Sequence, residues 1–252
     1  MTGDDHVLAH DLAGQAGQRL LELRAQGGDP DVLRKAGDRL SHEFLTAALA
    51  GQRPGDVVLS EEGADNPARL GARRVWIVDP LDGTREFGEP GRTDWAVHVA
   101  LWEDGDLTAG AFALPAQGTV LSTAEPPPPL PEDVASTPRL RIVVSRSRPP
   151  GFVRDISGLI NAELVPLGSA GAKVAAVICG EVDAYVHGGG FYEWDTAAPV
   201  AVARAAGLHA SRIDGSALAY NQPDLLMPDI LVCRPAVAGI LLRAIREVTH
   251  AS

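Results

Sequence analysis

Residues 75–87 read VWIVDPLDGTREF, an apolar run that ends in two aspartates three positions apart and continues with Gly-Thr. Asp-Pro and Asp-Gly each favour a turn, because proline presets φ and glycine accepts a positive φ. Both dipeptides occur here in one short stretch, at the end of a segment that reads as a buried strand. The stretch is therefore either a turn alone or a turn that carries chemistry, and the rest of the chain has to decide.

Length and composition describe an ordinary globular protein. The chain has 252 residues, of which 45% are hydrophobic and 22% charged, enough for one large domain or two small ones. The formal net charge of −11 disfavours nucleic acid as a partner, because its binders need clustered Lys and Arg. No apolar run approaches the roughly 18 residues of a membrane span, so we expect no membrane partner. A small anionic substrate remains possible if metal ions reverse the local charge.

Two cysteines, Cys179 and Cys233, lie in apolar segments. We expect both thiols to be buried, which fits a reducing compartment and offers no disulfide framework or cysteine metal site. The N-terminus, MTGDDHVLAHD, is acidic and lacks the basic and apolar regions of a secretory signal. These features predict a cytoplasmic protein.

The first half of the chain begins with helices and continues with strands. Apolar residues recur at helical spacing over 7–25, and a second helical pattern runs on from Gly37-Asp38. Residues 56–63 and 73–80 read as short strands, and 93–123 as β-structure with a hairpin turn at EDGD. This half is predicted to be α+β.

The proline-rich segment EPPPPLPED can continue neither a helix nor a central strand, because proline lacks the backbone donor. After it, strand and helix patterns alternate, which is typical of an α/β unit. We therefore predict an N-terminal pseudo-domain over 1–124, a linker over 125–138 and a C-terminal α/β pseudo-domain over 139–252.

Acidic residues end strands or begin helices at four places: Asp38, Glu61 with Glu62, Asp79 with Asp82, and Asp195. Taken singly, each has an ordinary explanation. Asp38 and Asp195 suit helix N-caps, worth about 1 kcal/mol each, and Glu61 suits a solvated loop. Taken together, they indicate a metal site, because Mg²⁺ prefers carboxylate, carbonyl and water oxygens.

The DPLDGT stretch offers further ligands beside its two carboxylates. Pro80 stiffens the loop, the carbonyl of Leu81 becomes a free oxygen ligand, Gly83 allows close approach of the backbone, and Thr84 adds a hydroxyl. Loops carrying Glu61 and Asp195 could complete two adjacent metal sites. Two metals about 3.5–4 Å apart clamp the attacking and leaving oxygens of a phosphoryl displacement.

Two loops of the second half could bind an anion. GSAGAK (168–173) falls between a strand and a helix, so the N–H groups of Gly168 and Ser169 and the ammonium of Lys173 could cradle a phosphate. SRSR (145–148) follows another strand and could supply Ser145 and Arg146. The alternative is that both are ordinary solvated loops.

Three motifs carry a family resemblance: VLSEEG (58–63), WIVDPLDGT (76–84) and WDTAAP (194–199). They resemble the inositol monophosphatase superfamily of Mg²⁺-dependent, lithium-sensitive phosphatases. DPLDGTREF, the SRS strand end and the GS…K loop are most similar to its CysQ-type 3′(2′),5′-bisphosphate nucleotidases, the PAP phosphatases. The resemblance implies a layered αβαβα sandwich of two pseudo-domains, often assembled as a homodimer.

The resemblance also implies roles for individual residues. Glu61, Asp79 and the Leu81 carbonyl would hold one metal, while Asp79, Asp82 and Asp195 would hold a second, with two or three Mg²⁺ ions per site. Glu61 would also position the attacking water, and Asp38 with Thr84 would activate it. The implied reaction removes the 3′-phosphate of adenosine 3′,5′-bisphosphate (PAP) to give AMP, which would recycle a by-product of sulfate activation.

The residues just before the WD motif match neither the inositol-specific nor the nucleotidase pattern of the superfamily. Inositol-specific members carry a sugar-binding acidic residue just before the WD motif, and nucleotidases often carry an arginine there, but this chain has HGGGFYE (187–193). His187 or Arg148 could replace the arginine. Inositol 1-phosphate and fructose 1,6-bisphosphate therefore remain alternative substrates.

Two different kinds of protein are also considered. A haloacid-dehalogenase-type phosphatase separates its aspartates by one residue, as D-x-D-G-T, whereas Pro80 and Leu81 intervene here. A non-catalytic metal or nucleotide sensor on the same scaffold is disfavoured, because Asp38 and Thr84 retain the residue types of a catalytic pair.

Overall fold

The computed structural model describes residues 4–130, 139–147 and 149–250. Its helices are α1 (Asp5–Ala25), α2 (Pro30–Gln52), α3 (Thr84–Gly88), α4 (Gly151–Leu159), α5 (Ala170–Ile178), α6 (Glu193–Ala205) and α7 (Pro235–His250). Its strands are β1 (Val57–Ser60), β2 (Arg74–Asp82), β3 (Ala96–Glu103), β4 (Asp106–Leu114), β5 (Thr119–Ser122), β6 (Arg141–Ser145), β7 (Glu163–Leu167), β8 (Ala184–His187), β9 (Phe191–Tyr192), β10 (His209–Ser211), β11 (Leu226–Met227) and β12 (Ile230–Cys233).

The first half forms a five-stranded sheet in the order β1-β2-β3-β4-β5. β1 runs parallel to β2, and the remaining pairs are antiparallel. Alternate residues of β2 enter different cores. Trp76 and Val78 face α1 and α2, whereas Val75 and Ile77 face the core that contains α5 and α6. The continuous apolar run of β2 therefore reflects a strand buried on both faces.

The second helix begins earlier than the sequence pattern indicates. Asp29 caps its N-terminus by accepting from the N–H groups of Asp31 and Val32, and Pro30 occupies the first turn. Asp38 lies inside the helix, so the alternative of a helix cap is wrong for this residue.

The second half forms a mixed five-stranded sheet in the order β10-β12-β8-β6-β7. β6 pairs in parallel with β7 and β8, whereas β8-β12 and β12-β10 are antiparallel. Val143 and Tyr185 face the core between the two sheets, while Ile142 and Ala184 face the outer core with α4 and α7. This alternation buries both faces of the second sheet.

The layers follow from these packings. α1 and α2 cover the first sheet, α5 and α6 lie between the sheets, and α4 packs with α7 outside the second sheet. The predicted α/β class and αβαβα layering are confirmed. One core between the sheets contains residues of both halves, such as Ile77 and Val232. The proposed linker lies partly outside the described residues, which omit 131–138, so the division into pseudo-domains stays a prediction.

The two cysteines differ from the expectation that both are buried. Cys233 is buried on β12, but Cys179 ends α5 in an exposed position. The last side chains of α5, Val177 and Ile178, are buried, and exposure to solvent begins at Cys179, where the helix ends. Within the described ranges, no helix combines the length and apolarity needed to cross a membrane.

Candidate active site

A bulge in β2 explains the spacing of Asp79 and Asp82. Residues three apart on a regular strand point to opposite faces of the sheet. In the pairing with β3, Asp79 lies opposite His98 but Asp82 lies opposite Ala96, so β2 contains one residue more than its partner here. The extra residue allows both carboxylates to turn to the same side. The Asp-Pro and Asp-Gly signals therefore mark a bulge and not a reversal of the chain.

Three carboxylates from two elements meet at this bulge. Asp79 and Asp82 of β2 and Asp195 of α6 each offer an oxygen, and these oxygens all lie within 4.8 Å of one another. Asp79 is buried, and its Oδ2 has no hydrogen-bond partner among the described residues. A buried carboxylate oxygen without a donor is costly unless a cation balances it. The all-oxygen donor set fits a hard divalent cation.

Crowding and burial change the acidity of the cluster. Burial, followed by the charges of Glu61, Asp82 and Asp195, holds the pKa of Asp79 well above its usual range. Burial, together with neighbouring acidic charges, raises the pKa of Glu61 to about 7 and the pKa of Asp195 to about 6. A bound cation would supply the counter-charge that these carboxylates lack.

Asp82 is supported differently from Asp79. Its Oδ2 accepts a hydrogen bond of 2.7 Å from the backbone N–H of Gly171 and lies 3.2 Å from Nε2 of His98. Burial raises the pKa of Asp82, but the charge and hydrogen bond of His98, the charge of Lys173 and the Gly171 N–H outweigh it, so the pKa is lowered. His98 is a residue that the sequence reading missed, because its only signal is an inward position in a β pattern.

Asp195 lies in the first turn of α6, where its Oδ2 accepts a hydrogen bond of 2.6 Å from the backbone N–H of Tyr192. Tyr192 is the N-cap of α6 and Asp195 is the third helical residue, so the alternative of a helix N-cap is wrong for Asp195. Its contact with the Tyr192 N–H is the reciprocal hydrogen bond of a capping box. α6 thereby fixes one carboxylate oxygen while the side chain lines the cavity above the cluster.

Glu61 follows β1 and lines the same cavity as Asp82 and Asp195. Its backbone N–H contacts the carbonyl of Val78 at 3.4 Å, which holds the loop against the end of β2. The carbonyl of Leu81, the other predicted metal ligand, accepts a hydrogen bond of 3.0 Å from Oγ1 of Thr84. The structure thus places Glu61 on the wall of the cavity, outside the group of three carboxylates, and the Leu81 carbonyl beside Thr84.

Thr84 and Asp38 are brought together from separate helices. Oγ1 of Thr84 lies 3.2 Å from Oδ1 of Asp38. The approach depends on Gly37, since a Cβ there would lie 2.8 Å from the ring of Phe87 and 3.0 Å from Leu81. Burial, followed by the charge of Glu62, raises the pKa of Asp38 to about 6.

A cavity of about 770 Å³ opens above the cluster. Predicted residues that line it are Glu61, Asp82, Gly83, Ser145, Gly168, Ser169, Lys173 and Asp195. The lining also contains residues that the sequence reading did not select: Arg85, Ser147, Tyr185 and Tyr192. Arg85 lies inside DPLDGTREF and could have been found from that motif. Volumes of this size are typical of small-molecule sites.

The predicted anion cradle of residues 168–173 is wrong for most of its backbone. The N–H of Gly168 donates to Oδ2 of Asp94 at 2.7 Å, and the N–H of Ser169 donates to the Asp94 carbonyl at 3.1 Å. The N–H of Gly171 donates to Oδ2 of Asp82. Nζ of Lys173 is buried and donates to the carbonyls of Gly168 and Ser169. The loop is therefore occupied in supporting the site.

Arg146 is likewise engaged with protein groups. Its Nη2 lies 2.6 Å from Oε1 of Glu86 and 3.1 Å from Oε1 of Glu89, so it ties the end of β6 to α3. Arg146 is absent from the described lining of the cavity, whereas its neighbour Ser145 contributes to it. Arg148, the suggested replacement for the missing arginine, lies outside the described residues.

Comparison with known proteins finds close relatives over nearly the whole chain. A "3'-phosphoadenosine 5'-phosphate phosphatase" of Mycobacterium leprae is 51% identical and covers 97% of this chain and 94% of that protein. One of the same name from Mycobacterium bovis is 52% identical, covering 92% and 90%. The crystal structure of CysQ from Bacteroides thetaiotaomicron is 28% identical with a TM-score of 0.79, covering 91% of this chain and 97% of that one.

The family model agrees with these relatives. The description "Inositol monophosphatase family" matches residues 8–250. Enzymes of this family are metal-dependent, which is consistent with the carboxylate cluster found here. The resemblance stated from the three sequence motifs is confirmed, and the chain belongs to the inositol monophosphatase family.

Proposed function

We propose that this chain is a Mg²⁺-dependent phosphomonoesterase that hydrolyses the 3′-phosphate of adenosine 3′,5′-bisphosphate to give AMP and phosphate. The observation that carries the substrate is identity of 51–52% with relatives named for this activity, over more than nine-tenths of this chain. The carboxylate cluster at the base of a cavity supports the reaction class.

The residues present fit Mg²⁺ as the metal. Glu61, Asp79 and the Leu81 carbonyl would hold one ion, and Asp79, Asp82 and Asp195 a second, with two or three ions per site. Bound Mg²⁺ supplies a positive charge that neutralises the phosphate oxygens in the transition state. The bulge of β2 and the first turn of α6 hold the carboxylates on one side, so little reorganisation is needed.

Thr84 and Asp38 would act on the attacking water. The Thr84 hydroxyl has one proton and two acceptors nearby, Oδ1 of Asp38 and the Leu81 carbonyl. Donation to Asp38 leaves a lone pair of Oγ1 free to accept a hydrogen bond from water, and Asp38 is the base that finally receives the proton. Glu61, at the edge of the cavity, would help to orient the same water.

Selectivity for a bisphosphate is assigned to Arg85. Among the described residues, Arg85, Lys173 and His187 are the basic side chains that line the cavity. Lys173 is already committed to two carbonyls, while Arg85 is exposed and has neither a hydrogen bond nor an ion pair in the described part of the chain. Arginine suits a phosphate because its planar guanidinium donates in pairs. Arg85 would thus hold the second phosphate, with Ser145 beside it.

Gly188, Gly189 and Gly190 line the cavity where an inositol-specific enzyme needs an acidic side chain. They provide no partner for sugar hydroxyls, so the observation disfavours inositol 1-phosphate. The three glycines leave room for a flat base. One face of the Tyr192 ring stacks on Trp194, with 4.8 Å between ring centroids, and its other face could stack on the base.

The direct test is to separate the products of PAP hydrolysis by chromatography, with Mg²⁺ and with excess EDTA. We expect AMP and one equivalent of phosphate with Mg²⁺, and no turnover with EDTA. Adenosine 3′-phosphate as the product, or turnover that persists in EDTA, would contradict the proposal.

We also infer a cytoplasmic location and a homodimer, and we propose lithium inhibition on the family resemblance. One buried and one exposed cysteine, with no disulfide between them, are consistent with a reducing compartment. The homodimer and the absence of nucleic-acid partners stay predictions. Size-exclusion chromatography with light scattering tests the homodimer, and a lithium titration at limiting Mg²⁺ tests the inhibition.

A further inference from the structure

His98 lies between the two elements that carry the carboxylates. It is fully buried on β3, with Nε2 3.2 Å from Oδ2 of Asp82 and Nδ1 3.1 Å from the carbonyl of Trp194. A carbonyl oxygen only accepts, so the contact with Trp194 requires a proton on Nδ1 and fixes the orientation of the ring. The ring thereby presents Nε2 to the carboxylate of Asp82, and this contact is favourable when Nε2 carries a proton as well.

The neighbours of His98, Phe112 and Gly171, pack closely against its ring and hold it in one position. The edge of Phe112 packs against it at 6.0 Å between ring centroids, with planes at 84°. On the other side, a Cβ on Gly171 would lie 2.5 Å from Nε2, so only glycine lets α5 approach this closely. That approach is what allows the Gly171 N–H to reach Oδ2 of Asp82.

The backbone N–H of Gly171 and Nε2 of His98 therefore contact the same oxygen of Asp82, Oδ2. Oδ1 has no hydrogen-bond partner among the described residues, and the side chain borders the cavity. The carbonyl of Trp194, which His98 holds, precedes Asp195 in the first turn of α6. One buried side chain thus contacts a carboxylate of β2 and the turn that presents a carboxylate of α6.

We propose that His98 is a positioning residue of the metal site, which orients Asp82 and holds the start of α6, and with it Asp195, in the arrangement that binds Mg²⁺. The inference rests on the metal site of the proposed function and is independent of the substrate. Mutation of residues that contact metal ligands from behind typically changes metal affinity 10–100-fold.

The first test is the variant His98→Asn. Its shorter amide can reach either Oδ2 of Asp82 or the carbonyl oxygen of Trp194, but not both. Mg²⁺ binding to the metal-free, full-length protein is measured by calorimetry, without substrate. We expect affinity to fall 10–100-fold, with activity recovering at high Mg²⁺ and KM for substrate little changed. Affinity within twofold of the wild type, or tighter, would overturn the proposal.

Phe112→Leu is the matched control. It loosens the packing on His98 but leaves both polar contacts of the ring, so it is expected to lower the melting temperature without changing Mg²⁺ affinity. If Phe112→Leu weakens Mg²⁺ binding as much as His98→Asn does, general loosening of the core explains the effect and the positioning role is wrong.

A measurement on the wild type covers the case in which His98→Asn does not fold. The ring ¹⁵N signals of His98 can be followed by NMR and assigned through ring protons that lie close to Phe112. We expect them to shift during a Mg²⁺ titration with the same midpoint as calorimetric binding. Signals that stay unchanged through saturation would contradict the proposal. Failure of PAP turnover with normal shifts would instead count against the proposed substrate alone.

Discussion

Oγ1 of Thr84 lies 3.2 Å from Oδ1 of Asp38, although the two residues are 46 positions apart. The contact joins the first residue of α3 to the interior of α2 at the edge of the carboxylate cluster. A half-buried hydroxyl-carboxylate pair beside the carboxylate cluster is the arrangement expected for activating a water molecule.

The first prediction concerns this pair. Thr84→Ala should lower kcat by about 10²–10⁴-fold, because the water loses its path to Asp38, while Mg²⁺ binding is retained. Thr84→Ser, which keeps the hydroxyl, is the matched control and should stay close to the wild type. Steady-state kinetics with parallel Mg²⁺ titrations separate the two effects. A Thr84→Ala variant with normal kcat would remove this pair from the mechanism.

The second prediction separates a metal role from a turn role for Asp79. Asp79→Asn keeps an oxygen for the contact that Oδ1 makes with the N–H of Leu81 at 3.0 Å, so the bulge should survive. Loss of the charge should reduce kcat/KM at least about hundredfold, since a metal supplies several kcal/mol of charge stabilisation. The melting temperature of the metal-free variant should equal or exceed that of the wild type. Lost stability with normal activity would indicate a turn-only role.

The third prediction follows from the pKa values of the cluster. The pKa is raised to about 6 for Asp38, about 7 for Glu61 and about 6 for Asp195. Folded protein without metal therefore holds more protons than unfolded protein between about pH 4 and 7, and these groups lose their stabilising contribution as pH rises through that window.

Mg²⁺ should consequently raise the melting temperature more at pH 8 than at pH 5. Comparing protein with Mg²⁺ and with EDTA at each pH cancels the contributions of carboxylates elsewhere in the chain. A rise in melting temperature that is equal at both pH values, or larger at pH 5, would mean that Glu61 and Asp195 do not bind the metal.

Arg85 is the subject of the fourth prediction. Arg85→Gln should raise KM for PAP about tenfold or more and leave the kinetics of inositol 1-phosphate nearly unchanged. Only the bisphosphate has a second phosphate, and only that phosphate loses its contact with the guanidinium. Arg73→Gln removes an exposed arginine that pairs with Asp104, away from the cavity, and serves as the control. Equal losses for both substrates would show that Arg85 does not select between them.

Much of the fold could be predicted because its signals are local. Apolar β patterns on either side of the EDGD turn located β3 and β4, and an apolar run ending in carboxylates located β2. The start of α2 was wrong because Gly37-Asp38 resembles a helix start. Gly37 is instead a point of close packing against Phe87. The stronger signal for the helix start, Asp29 followed by Pro30, lies about two turns upstream.

The metal-cluster residues could be selected from the sequence because the motifs contain them, but the supports of the site could not. His98 contacts Asp82 only through the shifted register of β2 and β3, and no spacing rule reveals a bulge in advance. The backbone of the 168–173 loop looked free because its acceptor, Asp94, lies 74 positions away. Arg146 looked free for the same reason, since Glu86 is 60 positions distant.

The most direct test of PAP hydrolysis is the ratio of kcat/KM for PAP to that for inositol 1-phosphate, measured on the wild type at one fixed Mg²⁺ concentration. We expect a ratio of at least about 10, a difference of only ~1.4 kcal/mol in transition-state binding. Fructose 1,6-bisphosphate in the same panel tests whether any second phosphate suffices. A ratio of one or below would make this chain an inositol phosphatase and contradict the account.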